Sequence, residues 1–309
     1  MTALVSRRAF IAATALVAAG CAGGGPRGRL RLAAGDPGGL YLAFAQLLAE
    51  QIRHRYPGVG VDVVPTEGSV ENLALLRSGE VDMGLTLADA AERDRMTRPT
   101  TAPVALARVY ENYLQVIVRN SAGIHQVSDL EGRRVSIGPE GSGTASTSRA
   151  LLEAAGLTGR VEPLHYRLKD ALDRLADDQI DALAWSGGVP TPAIAEQDAR
   201  LPLRIIDVSS LAALMSAGAG YSYVVRRMPT CDYVPSGIRS IGVPNLLLCR
   251  GDTDPRLAAA VVNVLAGDAE HLVPPDVLGL QYLDTPSMIQ TGLIPLHPGA
   301  VEAYRRLHG

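Results

Sequence analysis

Two glycine-rich stretches decide the fold: Gly35-Asp36-Pro37-Gly38-Gly39-Leu40-Tyr41 and Gly138-Pro139-Glu140-Gly141-Ser142-Gly143-Thr144. An amphipathic helical pattern follows each stretch, and about forty residues further on Asp82 or Asp181 introduces a short apolar strand. The repetition predicts one strand-loop-helix unit that is used twice. Backbone N–H groups at a helix N-terminus beside a strand end bind anions, so two such loops facing each other can hold one small anionic molecule. The alternative for either loop alone is an ordinary turn in which glycine supplies a positive φ.

Length and composition indicate a globular protein with room for two domains. The chain has 309 residues, of which 47% are hydrophobic, which supports well-filled cores. Its formal net charge is -3, and removal of the first twenty residues takes away Arg7 and Arg8, which leaves -3 - 2 = -5. A mildly acidic protein is a poor candidate for binding nucleic acid.

Residues 1–20 are typical of an export signal. Arg7-Arg8 precedes an apolar stretch that is much shorter than the roughly 20 residues needed to cross a bilayer. The pair also resembles the core of a twin-arginine signal. Ala18-Ala19-Gly20-Cys21 resembles a lipoprotein processing box, which predicts lipidation at Cys21, a tether over 21–28 and an extracytoplasmic location. A chance cysteine in an apolar signal is the alternative.

Strands and helices alternate along the rest of the chain. The first half reads as a strand from Leu30, a helix over 40–55, a strand over 59–64, a helix over 70–78 and a strand over 82–86. This order predicts an α/β protein with a mainly parallel sheet. Apolar segments near 114–119 and near 243–250 are predicted to cross between two lobes. Their positions divide the chain into lobe I, at 29–116 plus 249–309, and lobe II, at 117–248.

A series of motifs resembles the TAXI family, the solute-binding subunits of tripartite ATP-independent periplasmic (TRAP) transporters. The motifs are Gly38-Gly39-Leu40-Tyr41, Thr66-Glu67-Gly68-Ser69-Val70-Glu71-Asn72-Leu73, Ser128-Asp129-Leu130-Glu131-Gly132-Arg133-Arg134-Val135-Ser136-Ile137-Gly138, Gly141-Ser142-Gly143-Thr144, Ile180-Asp181-Ala182, Gly187-Gly188-Val189-Pro190 and Pro295-Leu296-His297-Pro298-Gly299-Ala300. The resemblance implies a two-lobed type II periplasmic binding-protein fold, with two mainly parallel sheets, helices on both faces and a hinge of two crossing segments. It also implies capture of glutamate or another small carboxylate and delivery to a TRAP-type membrane permease.

The second glycine-rich loop is the leading candidate for holding a carboxylate, because hydroxyl groups and helix N–H groups converge there. Its candidate residues are Ser142, Gly143 and Thr144. The alternative is a capped helix without a ligand. The other candidate ligand-binding residues are Gly39, Tyr41, Ser69, Asn72, Asp89, Trp185, Gly188 and Pro190.

Each side chain among these candidates also has a structural explanation. Tyr41 can wall the cleft and donate to a ligand oxygen, or it can pack at a helix N-terminus. Ser69 can bind ligand or cap a helix. Trp185 can line the cleft or fill the core, and Asp89 can accept from a ligand amine or lie on a helix surface. Glu140, beside the second loop, can repel a second ligand carboxylate or receive an ammonium group.

Catalysis and cofactor binding have little support in the sequence. The six histidines are dispersed, and zinc-binding, phosphate-loop and nucleophile-elbow motifs do not occur. We therefore expect no enzyme activity, no cofactor and no metal. Two alternatives stay open: a subunit that presents its ligand state to a membrane receptor, and an extracytoplasmic enzyme on the same scaffold. Cys231 and Cys249 are either a disulfide or two buried free thiols.

Overall fold

The computed structural model describes residues 25–37, 39–275 and 277–308. The export signal predicted at 1–20 and the lipidation predicted at Cys21 lie outside the described residues. Within the described ranges, no helix combines the length and the apolar character that crossing a membrane requires.

The first lobe is built from parallel strands connected by helices. Its elements are β1 (Gly28–Ala33), α1 (Leu40–Arg55), β2 (Val59–Val64), α2 (Ser69–Ser78), β3 (Met83–Leu87) and α3 (Ala88–Thr97). β1 pairs in parallel with β2 on one side and with β3 on the other. β3 is buried at every position, as expected for a strand covered on both faces. On α1, Phe44, Leu48 and Ile52 are buried at a spacing of four residues, so one face of the helix packs on the sheet.

The second lobe repeats this design. Its elements are β5 (Arg134–Ser136), α4 (Gly143–Ala154), β6 (Glu162–Leu164), α5 (Leu168–Ala176), β7 (Ala182–Gly187), α6 (Pro192–Arg200), β8 (Leu203–Ile206), α7 (Ala212–Ala219) and β9 (Val224–Arg227). β5 pairs in parallel with β6 and β7. The strand-loop-helix unit that the sequence predicts twice is therefore present in both lobes.

Two long antiparallel strands join the lobes. β4 (Val104–Arg119) pairs with β10 (Arg239–Cys249) along its first part and with β7 along its last part. The sheet order is β2-β1-β3-β10-β4-β7-β5-β6, with β8 on β4 and β9 on β10. The two parallel groups are thus linked into one hydrogen-bonded sheet, and the predicted crossing segments are parts of longer strands. The lobe boundaries after residues 116 and 248 remain a proposal.

The C-terminal helices return to the first lobe. They are α8 (Pro255–Gly267), α9 (Thr285–Met288) and α10 (Pro298–Leu307). Asp254 caps α8, because its carboxylate accepts from the backbone N–H of Arg256 at 2.7 Å. Val261 of α8 and Tyr304 of α10 pack in one hydrophobic cluster with Phe44 of α1. This end of the chain therefore completes the core of the first lobe.

Both described cysteines are free thiols. Cys249, at the end of β10, belongs to the core around α1 and α8, whereas Cys231 packs against the core of the second lobe. The disulfide that the sequence left open is therefore wrong, because the two thiols lie in separate hydrophobic clusters.

Candidate functional site

A cleft lies where the carboxyl ends of β1, β3, β5 and β7 meet. Open α/β sheets bind ligands at this edge of their strands. The lining residues are Gly35, Asp36, Gly39, Leu40, Tyr41, Glu67, Gly68, Ser69, Leu87, Asn112, Pro139, Ser142, Gly143, Thr144, Trp185, Ser186 and Gly187. Both glycine-rich loops therefore contribute to one cleft.

The N-terminus of α4 opens into this cleft. Ser142 is its N-cap, and its Oγ accepts from the backbone N–H of Ala145 at 3.0 Å. The N–H groups of Gly143 and Thr144 have no carbonyl partner within the helix, because they belong to its first turn. Together with the hydroxyl protons of Ser142 and Thr144 and the positive end of the helix dipole, these N–H groups form a set of donors suited to an anion.

The two lobes are in close contact beside this helix. The N–H groups of Val70 and Glu71, at the start of α2, both donate to the carbonyl of Gly141 at 3.0 Å. A Cβ atom on Gly143 would lie 2.6 Å from both Ser69 Oγ and Leu87 Cδ1. The start of α2 is thus occupied by a carbonyl of the second lobe, which leaves the starts of α1 and α4 facing the cleft.

Tyr41 and Ser69 line the cleft, but their hydroxyl oxygens are hydrogen-bonded to other groups of the protein. The Tyr41 hydroxyl donates to Asn245 Oδ1 on β10, and burial raises the pKa of Tyr41. Ser69 Oγ accepts from the backbone N–H of Leu87 at 3.0 Å. Gly68, and not Ser69, occupies the N-cap position of α2, so the predicted capping role of Ser69 is wrong.

Trp185 forms a wall of the cleft. Its indole N–H donates to Thr191 Oγ1 at 3.2 Å, and a Cβ atom on Gly39 would lie 3.3 Å from its ring. Gly188 and Pro190 do not line the cleft. Gly188 instead packs against Leu40, because a Cβ atom there would lie 2.8 Å from Leu40 Cδ2.

Asn72 does not reach the cleft, because its amide is used inside the first lobe. Its Nδ2 donates to the carbonyls of Ala34 and Leu85 at 2.6 and 2.7 Å, and its Oδ1 accepts from Thr66 Oγ1 at 2.6 Å. Ala34 directly follows β1 and Leu85 lies in the middle of β3, so Asn72 ties these two neighbouring strands to α2.

Asp89 is also absent from the cleft lining, and it is buried between the lobes rather than exposed on a helix. Its Oδ2 accepts from Thr147 Oγ1 at 2.9 Å and from the Tyr223 hydroxyl at 2.8 Å. Burial raises the pKa of Asp89, and these donors oppose that effect. Because Asp89 belongs to α3 and Thr147 to α4, the carboxylate links the two lobes in the conformation described here.

Acidic side chains near the cleft differ in position. Asp36 and Glu67 line it, whereas Glu140 does not. The exposed Glu140 carboxylate pairs with Arg149 at 2.8 Å, and this pairing lowers the pKa of Glu140. The repulsion or attraction predicted between Glu140 and a ligand is therefore weakened, because Arg149 offsets the charge of Glu140 and because Glu140 lies outside the cleft lining.

Sequence reasoning missed two polar residues of the inner wall, Asn112 and Ser186. A signal for Asn112 was present, because an amide inside the long apolar strand β4 is unusual and demands a partner. Ser186 stands at the end of β7, where side chains meet the cleft. Across the described ranges, no group of three or more His, Cys, Asp or Glu residues is arranged to hold a metal ion.

Proteins of known structure share the fold. The putative L-cystine ABC transporter from Listeria monocytogenes is 16% identical, with 79% of this chain and 92% of that chain covered and a TM-score of 0.52. XAC2383 from Xanthomonas citri, bound to ATP, is 15% identical with 90% and 95% covered and a TM-score of 0.50. An ancestral arginine-binding protein bound to arginine is 16% identical with 79% and 95% covered and a TM-score of 0.50. These similarities show the two-lobed α/β fold of type II periplasmic binding proteins.

The sequence also matches a protein-family model. The match runs over residues 32–306 and so includes both lobes and the loops that form the cleft. Only residues at the two ends of the chain lie outside the match. The chain therefore belongs to the NMT1-like family.

Proposed function

We propose that this protein is an extracytoplasmic solute-binding protein that captures a small carboxylate between its lobes and delivers it to a TRAP-type membrane permease. The observation that carries the proposal is the N-terminus of α4, which opens into the cleft with Ser142, Gly143 and Thr144. Hydroxyl and helix N–H donors together match the acceptor oxygens of a carboxylate.

The contacts between the lobes support a mechanism of capture by closure. Gly141 accepts from the start of α2, and Asp89 accepts from Thr147 across the same interface. Because these bonds join opposite sides of the cleft, they form only when the lobes approach each other. Ligand that bridges both sides shifts the protein towards this closed arrangement, which the permease would recognise.

The partner and the location are supported by the sequence. The TAXI-like motifs favour a TRAP-type permease over other transporters, and the fold similarity favours binding and release over catalysis. A Cys21→Ser variant should move from the membrane fraction to the soluble extracytoplasmic fraction. Retention of that variant in the membrane would contradict lipid anchoring at Cys21.

A thermal-shift screen of the purified chain, refolded to remove carried-over solute, tests the binding function. The panel comprises amino acids, hydroxy acids, keto acids, dicarboxylates and sugars. A ligand present at a hundred times its Kd stabilises the folded state by about 2.7 kcal/mol, which raises the Tm visibly. The proposal expects hits among the carboxylates, and hits among sugars alone would overturn it.

A double variant, Ser142→Ala with Thr144→Ala, locates the carboxylate. We expect its affinity for the carboxylate found in the screen to fall at least tenfold. The matched control is Ser148→Ala, which removes a buried hydroxyl of the same helix outside the cleft lining. Unchanged affinity in a folded double variant would remove α4 from the site. Uptake by proteoliposomes that hold a TRAP permease, with and without the protein, tests the partner.

A further inference from the structure

Two polar side chains lie at the inner wall of the cleft without a described partner for their outer atoms. Asn112 belongs to β4, where the chain passes between the lobes, and Ser186 lies near the end of β7. Both line the cleft, and they are only 3% and 7% exposed. Such deep burial makes their hydrogen-bonding needs informative about the ligand.

The orientation of the Asn112 amide is set by one hydrogen bond. Its Nδ2 donates to the backbone carbonyl of Ser186 at 3.1 Å, which leaves Oδ1 as the free end of the amide. Among the residues that the structure describes, neither Asn112 Oδ1 nor Ser186 Oγ has a hydrogen-bond partner. A carbonyl oxygen can only accept, so Oδ1 requires a donor, whereas a hydroxyl can accept or donate.

A ligand group that donates to Asn112 Oδ1 would lie next to the position proposed for the carboxylate. The backbone N–H of Ser186 donates to Thr144 Oγ1 at 3.2 Å. Thr144 is the second residue of α4, and its N–H belongs to the donor set at the helix start. A carboxylate held there therefore lies beside Ser186, whose backbone carbonyl accepts from Asn112.

The charges of the lining residues limit what else the ligand carries. Asp36 and Glu67 are acidic, and the described lining residues include no Arg, Lys or His. Arg167 lies outside the lining and pairs with Glu67 at 3.1 Å. The described lining thus offers no cationic residue to pair with a second ligand carboxylate, whereas an ammonium or hydroxyl group needs no such partner.

The geometry points to a cargo with a single carboxylate and, on the adjacent carbon, an ammonium or hydroxyl group that donates to Asn112 Oδ1 and contacts Ser186 Oγ. The inference rests on the proposed function, because it places the carboxylate at the start of α4. Asn112 and Ser186 are then specificity-determining residues, which select acids with a donor over acids without one.

Matched acids test this selectivity by isothermal titration calorimetry on the purified, refolded chain. On a three-carbon skeleton the probes are propionate, pyruvate, L-lactate and L-alanine, which differ only in the group beside the carboxylate. The same four groups are compared on the 3-methylbutanoate skeleton and on the glutarate skeleton, so that side-chain size and a second carboxylate are varied separately. We expect the hydroxy or the amino member to bind at least tenfold more tightly than the unsubstituted and keto members, and we expect the glutarate skeleton to bind more weakly than the 3-methylbutanoate skeleton.

Two variants assign the preference to the inner wall. Ser186→Ala removes one hydroxyl, and Asn112→Leu removes the amide acceptor and donor while it keeps the branching and the number of side-chain heavy atoms. Each should reduce the preference for donor-bearing acids to about threefold or less. Ser148→Ala is the matched control, because Ser148 is also a buried serine without a described partner but lies outside the cleft lining. Circular dichroism verifies that each variant folds. If Asn112→Leu does not fold, Ser186→Ala alone tests the assignment.

The possible outcomes distinguish a failure of this inference from a failure of the proposed function. Carboxylate binding without a preference for a donor, or a preference that survives both variants, overturns the role of Asn112 and Ser186 and leaves the proposed function intact. Tighter binding of the amino members than of the hydroxy members identifies an ammonium group as the donor, and the reverse identifies a hydroxyl group. Binding of none of the acids on any skeleton overturns the proposed function together with this inference.

Discussion

Replacement of Gly143 by alanine tests whether the lobes must come together for binding. Gly143 is the first residue of α4, and its backbone does not adopt the positive φ that favours glycine. Alanine therefore fits the helix itself. The added methyl group would instead meet the opposite side of the cleft, at 2.6 Å from both Ser69 Oγ and Leu87 Cδ1.

The size of the expected effect follows from these distances. Non-bonded carbon atoms pack best at about 3.5–4.0 Å, so the lobes must separate at this point by roughly 1 Å. Overpacking of this kind typically costs about 1–3 kcal/mol. If the cost falls on the closed state, and each 1.4 kcal/mol is about a tenfold change, affinity should fall about 5- to 140-fold.

Calorimetry with the acid identified in the screen measures the affinity, and small-angle X-ray scattering measures the change in radius of gyration on binding. The matched control is Gly218→Ala, because Gly218 lies in helix α7 with no heavy atom within 4 Å of an added Cβ. That change should leave binding unaltered and stabilise the fold by at most about 1 kcal/mol. A Gly143→Ala protein with the wild-type Kd and the wild-type decrease in radius of gyration would refute the role of this contact.

Three further predictions concern other parts of the molecule. Trp185 is the only tryptophan and lines the cleft, so saturating ligand should change the fluorescence emission. Trp185→Phe should abolish the signal while calorimetric binding persists, and unaltered wild-type emission would contradict its place in the site. Burial raises the pKa of Glu111 above its ordinary value of 4.5; its contribution to stability is therefore complete below that value and is lost as the pH rises through the folded-state pKa. The Tm of the wild type relative to Glu111→Gln should thus fall as the pH rises above about 4.5, and a difference that grows with pH would show the opposite shift. Cys249 is buried with its pKa raised to about 12, so a thiol reagent should label the less buried Cys231 in the folded protein and reach Cys249 only after unfolding; a mass change on reduction that corresponds to a disulfide would contradict free thiols.

The local spacing of apolar residues was the best guide to the helices and strands. The helix predicted over 40–55 and the strand predicted over 59–64 have the same bounds in the structure, as α1 (Leu40–Arg55) and β2 (Val59–Val64). Both depend on a spacing of apolar residues that neighbouring residues specify. The crossing segment predicted near 243–250 begins earlier in the structure, as part of β10 (Arg239–Cys249), because the first residues of β10 pair with β9, which no local pattern specifies.

Polar candidates were harder to assign, because their role depends on distant partners. Asn72 and Asp89 both lie near the starts of helices that follow strands of the first lobe, where ligand-binding residues are expected. In the structure Asn72 bonds to carbonyls just after β1 and within β3, and Asp89 bonds to residues of the second lobe. Nothing near either residue in the sequence distinguishes such a buried partner from a ligand.

By itself the sequence determined the alternation of strands and helices and the two glycine-rich loops, because helix and strand periodicity and the backbone freedom of glycine are local properties. Only the tertiary structure decided which side chains share the cleft. Asn112 and Ser186 are 74 residues apart in the chain, and the pairing of β4 with β7 brings them within a hydrogen bond of each other. That pairing is non-local, so the inner wall of the site emerges only when the two lobes are joined into one sheet.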